Sequence, residues 1–222
     1  MSAPEEVVFL LDVDNTLLNN DQVVADLRAH LNAEFGESSD RYWEIFETLR
    51  SQLGYADYLG ALQRYRLERQ CDTRLMLMSS FLIDYPFPTR LFPDVMAALA
   101  RLRTLGPTVI LSDGDVVFQP RKIKQSGLWD AVEGRVLIYI HKEQMLDEVV
   151  QRYPAKRYVM IDDKLRILAA MKEIWKERLI TVFPRQGHYA LDKANLVAYP
   201  PADITIEHIG ELATMDLSVF SA

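Results

Sequence analysis

The feature that constrains this chain most is the stretch from Val7 to Leu17. Val7–Leu11 is an uninterrupted apolar run, Val-Val-Phe-Leu-Leu, bounded by Glu6 and Asp12. It is too short to span a membrane and rich in strand-favouring side chains. It therefore reads as a strand buried on both faces, as at the centre of a parallel sheet. Asp12 and Asp14 follow with only Val13 between them, and then Thr16. Open α/β sheets place their ligands at the carboxyl ends of strands, where both acids fall. Two carboxylates this close repel each other unless a cation or a proton stands between them. The pair points to a metal, to an acid/base couple, or to both. The plainer reading is that the two aspartates cap a turn and the helix after it, as Asp commonly does beyond a strand.

Three more apolar runs end in polar clusters. Residues 108–111 lead into Ser112-Asp113-Gly114-Asp115, residues 136–140 into His141-Lys142-Glu143, and residues 158–161 into Asp162-Asp163-Lys164. In chain order the strand ends offer two acids, a hydroxyl, an ammonium and two further acids. Magnesium-assisted phosphoryl transfer needs that set: a nucleophile, hard oxygen ligands and donors for phosphate oxygens. The four histidines, at 30, 141, 188 and 208, show no metal-ligand spacing, so a zinc site is not expected. The net charge of −7, from 32 acids against 25 bases, argues against broad binding to nucleic acid or to an anionic membrane. A small phosphorylated substrate needs only local positive charge. Cys71 is the sole cysteine, so no intramolecular disulfide can form, and a reducing, cytoplasmic setting is the expectation. No basic stretch precedes an apolar segment at the start, and Asp12 interrupts the only candidate. Neither a signal peptide nor a membrane span is expected.

Between the first and second strands the apolar spacing is helical. Val23, Val24, Leu27, Leu31 and Phe35 form one pattern, with Asp21 as its candidate cap. Trp43, Phe46, Leu49 and Leu53 form a second, and Tyr58, Leu59, Leu62 and Tyr65 a third. The dense run 75–83 reads as a fourth helix and stops at Tyr85-Pro86-Phe87-Pro88. Residues 20–86 thus have the form of a helical insertion between core segments 1–19 and 87–222. Its aromatic residues (Tyr42, Trp43, Phe46, Tyr55 and Tyr58) read mainly as a bundle core, with a pocket lining as the alternative. Its arginines, among them Arg50, read as a solvated face from which one or two could reach a distal anionic group.

From Arg90 onward strands alternate with helices, the fifth and sixth strands falling at 179–183 and 204–206. Helices are expected from Pro93 to Gly106, from about Val116 to Gly127, across Met145–Tyr153 and Ile167–Trp175, and through Ile209 and Leu212. Repeated strand–helix units imply a Rossmann-like α/β fold, a parallel sheet flanked by helices. Arg185-Gln186-Gly187-His188, on the edge where the site should lie, reads as a surface loop, with a contribution to the pocket as the alternative.

The segment Asp12-Val-Asp-Asn-Thr-Leu, then Ser112, Lys142 and Asp162-Asp163, resembles the four motifs of the haloacid dehalogenase-like hydrolase superfamily, in the family's order. Asp113 stands where many relatives carry Asn or Gly, and Glu143 where Pro is frequent. The resemblance implies that residues 20–86 are a helical cap that closes over the site. It also implies that Asp12 is a nucleophile forming an aspartyl phosphate and that Asp14 is the general acid and base. Ser112 and Lys142 would hold the phosphate oxygens. Mg²⁺ would be bound by the Asp12 side chain, the Asp14 backbone carbonyl and Asp162, with Thr16, Asp113 and Asp163 in supporting positions. The expected activity is hydrolysis of a small phosphorylated metabolite by a monomer or homodimer. A phosphomutase with the same nucleophile is the alternative. A dehalogenase, which needs neither Asp14 nor the acids at 162 and 163, or an inactive binding module, ranks below both.

Overall fold

The computed structural model describes residues 4–36 and 39–220. Six parallel strands form one sheet: β1 (Glu5–Leu11), β2 (Thr108–Asp113), β3 (Val136–Tyr139), β4 (Ala155–Ile161), β5 (Leu179–Pro184) and β6 (Ile204–Ile206). Their spatial order is β3-β2-β1-β4-β5-β6, so β1 is central and the chain winds outward from it in both directions. Strand order reverses there, which puts the crevice for a ligand at the carboxyl end of β1. Leu11 lies level with Ile110 of β2 and Ile161 of β4, so Asp12, Ser112 and Asp162 emerge together at one edge.

The alternating pleat of β1 feeds two apolar layers. Val7, Phe9 and Leu11 pack with α5 (Val95–Leu102) and, through Phe9, with Phe220. Val8 and Leu10 pack with Val149 of α8 (Leu146–Arg152) and with Leu168 and Met171 of α9 (Leu165–Trp175). Helices on both faces explain why β1 is apolar at every position rather than at alternate ones.

Four helices, α1 (Asn20–Phe35), α2 (Ser39–Leu53), α3 (Tyr58–Leu67) and α4 (Arg74–Ile83), lie between β1 and β2. Tyr42, Trp43, Phe46, Tyr58 and Tyr65 are buried among them, the first four linked by ring contacts of 4.7–6.5 Å. Their apolar interior is continuous with one face of the sheet. Phe118, at the start of α6 (Phe118–Gln125), touches both Tyr58 and Phe87, with ring centroids 5.7 and 5.8 Å apart. The chain leaves and re-enters the sheet layer through adjacent strands of backbone. The Asn19 N–H donates to the Arg90 carbonyl and the Phe92 N–H to the Leu17 carbonyl.

Several element ends differ from the sequence reading. Helix α1 starts at Asn20 because the Asn19 side chain, not Asp21, accepts from the Gln22 N–H at 3.0 Å. Helix α5 starts at Val95 because Asp94 adopts a left-handed φ of 60°, which ends any helix from Pro93. Helix α6 starts two residues late because Asp115 accepts from the N–H groups of Val117 and Phe118 and holds them in a turn. The apolar pair Ile209 and Leu212 lies on a short 3-10 turn. Cys71 is a free, exposed thiol.

The loop after β5 is not a free surface. Gln186 is buried, and its Nε2 donates to the carbonyls of Asn15 and Thr16 at 3.4 and 3.1 Å, while its Oε1 accepts from the Ile209 N–H. Gly187, at φ 70°, presses its backbone on Asn15, so a Cβ there would lie 2.4 Å from the Asn15 Cβ. Gly187→Ala should therefore destabilise the fold by roughly 2–4 kcal/mol, from left-handed strain plus overpacking. Gly127→Ala, also left-handed but facing only the tip of Met96, should cost about 1 kcal/mol. Urea denaturation of both variants checks the ranking, and equal losses would show that the loop yields.

Candidate active site

The carboxyl edge of the sheet gathers a buried cluster of charge. Asp12, Asp162 and Asp163 are each at most 2% exposed, and one oxygen from each lies within 4.8 Å of the others. Their backbone is fixed by continuation of the sheet: the Asp12 N–H donates to the Ile161 carbonyl and the Asp162 N–H to the Val182 carbonyl. Lys142, fully buried, extends into the cluster from the turn after β3. Its Nζ donates to Asp12 Oδ1 at 2.5 Å and to the Leu111 carbonyl at 3.3 Å. It also stands 2.6 Å from Asp162 Oδ2, a close charge pair in which no N–H is aligned on that oxygen. Burial by itself would depress the Lys142 ammonium, but Asp12, Asp162 and Asp113 outweigh it and raise it. Lys142 is therefore a fixed cation.

One ammonium does not satisfy three carboxylates. Asp12 Oδ2 and both oxygens of Asp163 are buried without a hydrogen-bond partner. Burial pushes the carboxyls of Asp162 and Asp163 upward, with Lys142 and Lys164 offsetting only part of that rise. Unpaired buried carboxylate oxygens are costly, and a hard divalent cation that prefers oxygen ligands is the group that relieves them. The donor set of Asp12, Asp162 and Asp163 thus fits a hard divalent cation. Thr16 braces this arrangement, its Oγ1 accepting from the Asp163 N–H at 3.0 Å.

Asp14 and Ser112 lie beside the cluster, and α6 joins them. Gln119 Nε2 donates to Ser112 Oγ at 3.0 Å and reaches Asp14 Oδ2 at 3.5 Å. Lys122 Nζ donates to Asp14 Oδ1 at 2.6 Å and to Asn20 Oδ1 at 3.2 Å. The buried side of α6 is Phe118, Gln119, Lys122 and Ile123, two apolar and two polar residues. Polar side chains at core-facing positions are the informative exception to burial patterning. The helical spacing of Gln119 and Lys122 with Phe118 and Ile123 is the trace that these contacts leave in the sequence. Lys164, which follows the two acids in sequence, is half-buried over the Tyr189 ring at 5.1 Å, and its charge acts on all three clustered acids.

The two residues that depart from the common motif pattern have defined partners. Asp113 Oδ1 accepts from the Lys142 N–H at 2.8 Å, which anchors the turn that carries the lysine. Glu143 pairs with Arg166 at 2.9 Å, away from Lys142 Nζ. Asn15 takes a left-handed φ of 63° after Asp14, and its side chain exchanges hydrogen bonds with Asp21. Asp21 in turn accepts from the His188 N–H.

A family model for the haloacid dehalogenase-like hydrolases matches residues 7–174. The chain belongs to this family. A haloacid dehalogenase-like hydrolase of Burkholderia xenovorans LB400 shares 70% identity over 96% of this chain and 100% of its own, with a TM-score of 0.91. More distant relatives share the fold. The L-2-haloacid dehalogenase of Xanthobacter autotrophicus is 16% identical over 93% and 96% of the two chains, with a TM-score of 0.59. A HAD-family hydrolase of Bacillus subtilis, bound to magnesium, is 15% identical over 94% and 97%, with a TM-score of 0.58. No curated protein matches the chain. Among the described residues of this HAD-like hydrolase, no helix is long and apolar enough to cross a membrane.

Burial raises the Asp113 carboxyl to about 6, the nearby Lys142 opposing the shift. The folded chain then binds a proton that the unfolded chain releases near pH 4. Ionised Asp113 therefore weakens the fold above pH 6, and this cost fades as the pH falls toward 4. Asp113→Asn keeps an acceptor for the Lys142 N–H. It should stabilise the protein at pH 7–8 by on the order of 1–2 kcal/mol and have almost no effect near pH 4. Thermal denaturation across that range tests the sign.

Proposed function

We propose that this HAD-like hydrolase is a magnesium-dependent phosphatase that acts on a small phosphorylated metabolite through an aspartyl phosphate. The observation that carries the reading is the buried triad Asp12, Asp162 and Asp163, with four oxygens that accept no hydrogen bond and one ammonium in contact, beside a second, more exposed acid, Asp14. Dehalogenation by a nucleophilic aspartate requires no metal acids and no second acid two residues on. The magnesium ion would be held by Asp12, Asp162 and the Asp14 backbone carbonyl, and would supply charge to neutralise the phosphoryl oxygens.

The chain's own residues divide the rest of the work. Asp12, held by Lys142, attacks phosphorus while the bond to the leaving oxygen breaks. Asp14 gives that oxygen a proton, then takes one from the water that attacks the aspartyl phosphate, so that Asp12 is restored as a carboxylate. Ser112 and Lys142 donate to the phosphoryl oxygens, Lys142 already being in place and charged. The four helices of residues 20–86 serve as the cap. Phe118 against Tyr58 and the paired backbone at 17–19 and 90–92 join them to the core.

Hydrolysis of p-nitrophenyl phosphate in the presence of magnesium, followed by free phosphate release, tests the reading. Asp12→Asn should lower turnover by at least about a thousandfold, and acid quench of the active enzyme should leave one phosphoryl group on the peptide carrying Asp12. Asp162→Ala should raise the magnesium concentration for half-activity more than Asp163→Ala does, because only Asp162 is assigned as a direct ligand. Halide release from a 2-haloacid with no phosphate release from the ester would overturn the phosphatase reading.

A further inference from the structure

Lys122 is the one fully buried lysine outside the carboxylate cluster among the described residues, with an exposure of 1%. It sits on α6, away from the strand ends that carry the motifs. Its Nζ has two acceptors: Asp14 Oδ1 at 2.6 Å and Asn20 Oδ1, on the first residue of α1, at 3.2 Å. The ammonium lies 5.6 Å from the Phe118 ring centroid. Asp14 itself keeps a side-chain exposure of 26%, so its other oxygen can reach a substrate. That oxygen, Oδ2, lies 3.5 Å from Gln119 Nε2, which is bonded to Ser112 Oγ. The carboxyl is therefore oriented: Lys122 holds Oδ1 by a short charged hydrogen bond, while Oδ2 accepts only a long contact from the Gln119 amide.

We infer that Lys122 is the positioning residue for Asp14, fixing which carboxyl oxygen carries the transferred proton; this rests on the assignment of Asp14 as general acid and base. An ammonium has donors and no acceptor, so the oxygen it holds must remain the accepting one. A proton carried by Asp14 then resides on Oδ2, on the side where Ser112 would receive the phosphate. In the first step Asp12 bonds to phosphorus and the ester bond breaks. The electron pair stays on the leaving oxygen, which takes the Oδ2 proton. In the second step Oδ2 takes a proton from the attacking water as the bond between phosphorus and Asp12 breaks. Without Lys122 the Asp14 carboxyl can rotate about its Cβ–Cγ bond, and both steps lose alignment. Gln119, one turn earlier on the same buried face, steadies the serine and the free oxygen together. The contact with Asn20 ties this geometry to the root of α1, the first element of the helical insertion.

The test is single-turnover hydrolysis of phenyl phosphates bearing substituents of graded leaving-group basicity, with magnesium present. A general acid matters most for the most basic leaving group. Lys122→Met should slow phenyl phosphate about ten- to a hundredfold and p-nitrophenyl phosphate far less, with KM nearly unchanged. Lys122→Arg, which restores a donor-only cation, should recover most of the rate. In an Asp14→Asn background Lys122→Met should have almost no further effect, because the group it positions is gone. A loss equal for all leaving groups, or one that multiplies with Asp14→Asn, would make Lys122 a structural residue and overturn the inference. A rise in KM at constant kcat would make it a substrate contact, with the same consequence. If Lys122→Met does not fold, Lys122→Gln, which also removes the ammonium, carries the same leaving-group comparison. The reading of Asp14 is judged separately. If Asp14→Asn alone leaves the leaving-group dependence unchanged, the assignment of Asp14 fails, and the role of Lys122 fails with it.

Discussion

The Lys142 ammonium, wedged between Asp12 and Asp162, is the interaction on which the rest of the site depends. Three strands of the sheet converge there, and each delivers like charge or charge that must be buried. Breaking a buried pair by removing one partner typically costs about 3–5 kcal/mol, because the remaining charge is stranded. Lys142 is the member whose loss would strand two acids at once. Around it the structure spends hydrogen bonds on backbone, as with the Asp113 carboxyl on the Lys142 N–H and the Thr16 hydroxyl on the Asp163 N–H. These contacts fix where the charges sit without neutralising them. The remaining negative charge is left for a cation to balance.

A second layer of contacts keeps the first loop from relaxing away from that charge. Asn15 is left-handed, and the turn after it is closed by hydrogen bonds from Leu17 and Leu18 to the Val13 carbonyl. Gln186 clamps the carbonyls of Asn15 and Thr16 from the loop after β5. Strain of this kind persists only where surrounding structure holds it, and here the holding groups come from segments more than a hundred residues apart in sequence.

The sheet and its site edge were legible in the sequence because both rest on short-range patterns. Four buried runs, each ending in a polar cluster, give the strands, their parallel arrangement and the meeting of Asp12, Ser112, Lys142 and Asp162. The α4 helix was legible too, although its run 75–83 is too apolar for periodicity alone to separate helix from strand. Less visible were the groups that reach the site across the fold. Gln186 looked like part of a surface loop because its acceptors lie on a loop 170 residues earlier. Lys122 carries no motif of its own, and its partner Asp14 is on another element. The pairing of Lys142 with Asp162 was equally hidden, since the two residues are twenty apart and lie on different strand ends. Patterns report which face is buried; they do not report which buried charges meet.

On the reading proposed above, a divalent cation completes the cluster formed by the acids of residues 12, 162 and 163. Thermal denaturation of the wild-type protein against magnesium concentration tests it without any substrate. A ligand bound only by the folded state stabilises it by RT ln(1 + [L]/Kd), about 2.7 kcal/mol at a hundredfold excess over Kd. The melting temperature should rise with added magnesium, and Asp162→Asn should abolish most of that rise. A melting temperature unmoved by magnesium up to millimolar concentrations would contradict the account, because the cluster would then be complete with Lys142 alone.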